Sequence, residues 1–81
     1  MSESPPQATS AAHAKRCGIV AKRARDFRVR ARGIKCSRAR RWTRAYLRER
    51  REAPGFDCAS TSGRTVFYCS RGGRYYWAER L

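Results

Sequence analysis

The chain has little acid to set against its base, and its one histidine falls in a stretch that does not read as folded. Among 81 residues there are 20 Lys and Arg but only six acids (Glu3, Asp26, Glu49, Glu52, Asp57 and Glu79), and the single histidine is His13. The acids show no pairing pattern, and a cysteine nucleophile would find no histidine in the folded part to activate it. A glycine-rich phosphate loop is missing as well. These absences argue against an enzyme, and no catalytic residue is nominated. No apolar run approaches the roughly 20 residues of a membrane span. The opening MSESPPQATSAAHAK has neither the basic start nor the apolar segment of a signal peptide. Cys-x-x-Cys knuckles are also missing, because 18, 21 and 10 residues separate Cys17, Cys36, Cys58 and Cys69. Structural zinc sites usually present ligand pairs about two to four residues apart, since a tight turn aims both at one ion. The nearest approach here is His13 with Cys17, so neither metal nor cofactor is expected.

What the chain does have is an even number of cysteines and a surplus of arginine. A domain this short buries only about 60% of its unfolded surface, which leaves its core marginal without staples. Four cysteines in such a chain read as a disulfide framework in an oxidising compartment, each bridge contributing on the order of 3 kcal/mol. That compartment conflicts with the missing signal peptide. Either the start is misassigned or cut from a longer precursor, or the thiols stay reduced in the cytoplasm.

The positive charge is concentrated. Residues 15–52 carry 16 basic and 3 acidic side chains, whereas residues 53–81 carry 4 and 2. Seventeen of the 20 basic residues are arginine, the better bidentate phosphate ligand and a residue that stacks on bases. The bland alternative is a GC-rich genome, which inflates arginine and alanine together.

Along the chain, residues 1–14 are rich in Ser, Pro and Ala and read as a disordered leader, with a single small domain over residues 15–81. CGIVA suits an opening strand, and KRARD turns the chain. Phe27, Val29 and Ala31 then alternate with Arg28, Arg30 and Arg32, the period-two pattern of a strand with one apolar and one arginine face. Cys36-Ser37 offers a helix cap, and residues 37–52 lack glycine and proline. At 100° per residue, Ala39, Trp42, Thr43, Tyr46 and Leu47 share one arc, and Arg41, Arg44, Arg48 and Arg51 gather opposite. Ala53-Pro54-Gly55 ends the helix.

Strands are expected over residues 56–61, 65–71 and 74–80, joined by Ser62-Gly63 or Gly63-Arg64 and then by a type I′ turn at Gly72-Gly73. With Gly63-Arg64 as the loop, Cys58 lies opposite Cys69, Cys69 opposite Tyr76 and Phe67 opposite Ala78. One face then holds Phe56, Cys58, Phe67, Cys69, Tyr76 and Ala78; the other holds Val66, Tyr68, Tyr75 and Trp77. The expected fold is α+β, with one amphipathic helix packed on an antiparallel sheet of three to five strands and stabilised by disulfides.

The arginines are the sharpest functional candidates. Arg28, Arg30 and Arg32 project at about 7 Å spacing from one strand face, near the phosphate spacing of an extended strand. If Tyr68 and Trp77 share that face, they would stack bases between guanidinium groups. The alternative is that both pack against the leader or the first strand, which the need of a small domain for every large side chain favours. The helix offers a second surface in Arg41, Arg44, Arg48 and Arg51.

The order Cys17-Gly18, Val29-x-Ala31-x-Gly33-Ile34-x-Cys36-x-x-Ala39-Arg40, Gly55-Phe56-x-Cys58 and Cys69-x-x-Gly72 resembles a group of small cysteine-containing exported proteins of unknown function from high-GC Gram-positive bacteria. The resemblance spans residues 17 to about 78. It implies export and disulfides, and it brings no established activity. Four cysteines allow three pairings. The most local choice joins Cys17 to Cys36 and Cys58 to Cys69, whereas joining Cys36 to Cys58 or Cys69 would pin helix to sheet. The expected function is a non-enzymatic exported binding or structural module that meets an acidic partner or a cell-surface polyanion. The alternative is a cytoplasmic nucleic-acid-binding protein with reduced cysteines. No oligomeric state follows from the sequence.

Overall fold

The structure is a computed structural model that describes residues 14–81; the leader expected over residues 1–14 lies, apart from Ala14, outside the described residues. Strands β1 (Lys15–Lys22) and β2 (Arg25–Arg32) form a hairpin, followed by helix α1 (Cys36–Glu49) and the meander β3 (Asp57–Ser60), β4 (Thr65–Arg71) and β5 (Arg74–Arg80). The five strands make one antiparallel sheet in the order β1-β2-β5-β4-β3, with α1 across one face. This is the α+β fold the sequence predicts.

The alternation in β2 buries Phe27, Val29 and Ala31 and turns Arg28, Arg30 and Arg32 to the other side. The meander register pairs Cys58 with Cys69, Cys69 with Tyr76 and Phe67 with Ala78. The core therefore forms from Val29, Phe67, Cys69, Tyr76 and Ala78 on the sheet and Ala39, Thr43 and Tyr46 on the helix. Tyr46 stacks on Phe67 with ring centroids 4.1 Å apart, and Phe67 and Phe56 meet Tyr76 edge to face. Trp42 and Leu47, expected on the packing face, flank this core half-buried.

The disulfides take the local pairing, Cys17–Cys36 and Cys58–Cys69, and leave no free cysteine. A bulge in β1 makes the first of them reachable. The register passes from Arg16 opposite Arg30 to Ile19 opposite Arg28, so Cys17 and Gly18 together face one residue of β2. Gly18 takes φ +96°, a region costly for any side chain. The extra residue lets Cys17 and Val20, three positions apart, both point inward, and Cys17 then meets Cys36 at the start of α1. A strict period of two would have placed one of them outside.

Four local expectations are corrected. The helix ends at Glu49 rather than residue 52, because Arg50 adopts a left-handed conformation (φ 60°) and its N–H and that of Arg51 turn back to the carbonyls of Tyr46 and Ala45. At the other end the N-cap is Lys35, and no side chain caps the helix, since Cys36 already occupies the first helical position and is tied to Cys17. The Gly72-Gly73 turn has positive φ only at Gly72, whereas type I′ requires it at both central residues. Val66 leaves the outer face: a register shift between Thr65 and Phe67 turns it against the core cluster beside Leu47.

The β1–β2 turn places Arg23 at φ 57°. A left-handed L-residue costs about 1–2 kcal/mol, and glycine gives back part of that gain as chain entropy. Arg23→Gly is therefore expected to raise the melting temperature by a few degrees, read by thermal denaturation.

Candidate polyanion interface

Two cationic surfaces were expected, and the structure sets them on opposite sides of the molecule. The first is the open face of the sheet. Cross-strand rows place Arg30 beside Trp77 and Trp77 beside Tyr68, with Arg28 beside Glu79 and Arg32 beside Tyr75. This juxtaposition follows from the register, yet the surface is partly closed. Trp77 is buried at 2% exposure, outside the main core cluster, and its indole Nε1 donates to Glu79 Oε2 at 3.1 Å. Its buried ring offers no open face for stacking, while Tyr68 and Tyr75 stay half-exposed. Arg30 is half-buried, with Nε 3.4 Å from Glu79 Oε1, close enough to pair charges but without hydrogen-bond alignment. Glu79 thus answers both Arg30 and Trp77. Arg28 is half-buried and Arg32 exposed.

The second surface is the outer side of α1. Arg41, Arg44 and Arg48 are all exposed, and Arg38 continues the line toward the N-terminus at the same three-to-four-residue spacing. At 1.5 Å rise per residue the guanidinium groups follow one another about 4.5–6 Å apart along the axis. No carboxylate from the described residues pairs with them; the two ion pairs found are Arg30–Glu79 and Arg51–Glu49. Arg51, expected on this stripe, lies past the helix end and contacts Glu49 at 3.3 Å. Arg41 also lies over the Trp42 ring, 5.6 Å from its centroid.

Some arginines that the sequence grouped with the charge turn out to be structural. Arg40 donates through a terminal nitrogen to the Cys17 carbonyl at 2.8 Å, clasping the bulge of β1 to the helix. Arg50 donates to Ser60 Oγ at 2.9 Å and lies 5.5 Å over the Tyr46 ring, and Arg80 donates to the Gly63 carbonyl. Nothing in composition or periodicity separates these from the solvated arginines, because their partners, in β1, β3 and the β3–β4 loop, lie 10 to 23 residues away along the chain.

No family model matches the chain, and no curated protein or solved structure matches it.

Proposed function

We propose that the chain is a non-enzymatic, disulfide-stabilised exported module that binds an acidic partner or cell-surface polyanion through the arginine stripe of α1. The observation that carries this reading is that Arg41, Arg44 and Arg48 are exposed and have no ion-pair partner among the described residues. On the sheet face, by contrast, Arg30 already answers to Glu79. Full pairing of the cysteines supports an oxidising compartment, since disulfides persist there and are rare in reducing ones. A charge of +14 guarantees some attraction to any polyanion, so the reading must be tested by position rather than by affinity alone.

Titration with a sulfated polysaccharide and with single-stranded DNA, at salt between about 50 and 200 mM, supplies that test. Arg41→Ala/Arg44→Ala/Arg48→Ala is expected to flatten the slope of log affinity on log salt by about 2–3, and to weaken polysaccharide binding about tenfold more than Arg28→Ala/Arg30→Ala/Arg32→Ala does. Equal losses in the two triple variants would leave only bulk charge and defeat the proposal. Selective loss of DNA binding in the sheet variant, in a chain whose cysteines alkylate freely in its native compartment, would favour the cytoplasmic nucleic-acid reading.

A further inference from the structure

At the end of the molecule where the β1–β2 turn, the last turns of α1 and the bulge of β4 meet, two hollows of about 260 and 370 Å³ adjoin. They share Lys22, Leu47, Val66 and Arg80. The larger has an apolar floor of Phe27 from β2, Leu47 from α1, and Val66, turned inward by its bulge, while Arg50, Ser60 and Thr61 make the smaller more polar. Around this floor stand Lys22, Arg23, Arg25, Arg50 and Arg80, and neither hollow has an acidic residue in its lining. Arg50 is engaged with Ser60 and Tyr46, and Arg80 with Gly63. Lys22 is half-buried and forms no ion pair with the described residues.

We infer that this groove binds a single-chain anionic amphiphile, a fatty carboxylate, with its headgroup at Lys22 and Arg80 and its aliphatic chain along Leu47, Val66 and Phe27. The charge complementarity is specific to the place. A half-buried lysine whose stem lies beside apolar walls favours a compact anion that brings its own apolar chain, because burying the chain strengthens the charge pair at the head. A hydrophilic polyanion would leave the floor uncovered, and an apolar molecule without charge would leave Lys22 unanswered. No arginine of the stripe lines either hollow, although Lys22 and Leu47 also border Arg44 and Arg48 in a small hollow alongside, and either proposal can fail without the other.

The test is calorimetric titration of the intact oxidised protein with octanoate, decanoate and dodecanoate, each kept below its micelle concentration. Saturable one-to-one binding is expected, tightening about twofold to fourfold per added methylene, as partial to full burial of each group requires. Lys22→Glu/Arg25→Glu should weaken decanoate at least tenfold. Arg38→Glu/Arg41→Glu changes net charge equally on the outer side of α1, and it should alter decanoate binding less than threefold. Val66→Thr keeps the shape of the floor while making it polar, and it should flatten the dependence on chain length even if the charge-reversal variant folds poorly. Equal losses in the two charge variants, affinity independent of chain length, or binding to anionic phospholipid vesicles but not to the free carboxylates would each overturn the inference.

Discussion

Cys17→Ala/Cys36→Ala is expected to melt roughly 12–24 °C below the parent, the shift that corresponds to about 3 kcal/mol in a domain of this size. The bridge closes a loop of 19 residues, and chain entropy sets the scale of its contribution. Its position makes the loss local as well as global. β1 is an edge strand interrupted by the Gly18 bulge, and helix α1 begins without a side-chain cap. The bridge joins these two weak places, with the Arg40 bond to the Cys17 carbonyl as the other tie noted between them. Hydrogen exchange should therefore accelerate first in β1 and the opening turn of α1, while the amides of β4 and β5 keep their protection. Cys58→Ala/Cys69→Ala should cost a similar amount overall, but it should loosen β3 and the following loop instead. Reducing both bridges removes about 6 kcal/mol from a domain whose whole stability is about 4–12 kcal/mol, so the reduced chain is expected to unfold near 37 °C. Uniform loss of protection across all five strands in the first variant would show that the bridge supports the whole core rather than one edge.

The sequence made the sheet legible where side-chain period and turn chemistry agreed. Phe27, Val29 and Ala31 announced β2. Gly63-Arg64, one of two first loops left open beside Ser62-Gly63, and Gly72-Gly73 together imply the facing seen in the meander, with Cys58 opposite Cys69. Two bulges escaped notice. Each inserts one residue and breaks the alternation of facing at that point, and a single sequence gives no rule for where a strand absorbs such an insertion. The first brings Cys17 and Val20 inward together, and the second brings Val66 to Leu47 and so creates the groove floor. The arginines divided for a similar reason. Arg41, Arg44 and Arg48 were placed by helical spacing alone, and they stay on the surface where that spacing put them. Arg40, Arg50 and Arg80 took structural roles that depend on the carbonyl of a distant strand, a serine and a loop carbonyl. Such partners become visible only once the chain is folded.

The second large effect should appear in alkali and centres on Tyr76. Its ring is fully buried, and its hydroxyl accepts the buried Ala53 N–H at 3.3 Å and lies 3.9 Å from Cys58 Sγ. Burial disfavours the phenolate and pushes the hydroxyl from 10.0 up to about 12, although the Ala53 hydrogen bond works in the opposite direction. Between these values the unfolded chain has released the proton while the folded chain keeps it. The unfolded state then binds fewer protons, and stability falls as pH rises. The contribution is fully present below pH 10 and is lost on passing through about 12, a total of about 2–3 kcal/mol. Denaturant unfolding measured quickly enough to spare the disulfides from hydroxide should show this slope between pH 10 and 12. Tyr76→Phe should be less stable near neutrality by about 1–2 kcal/mol, because the Ala53 N–H loses its acceptor in a buried place. Its stability should nevertheless vary much less with pH across the alkaline range. If the parent slope persists in Tyr76→Phe, some other buried group carries the alkaline transition, and Tyr76 acts only as the acceptor that holds Ala53 behind the helix.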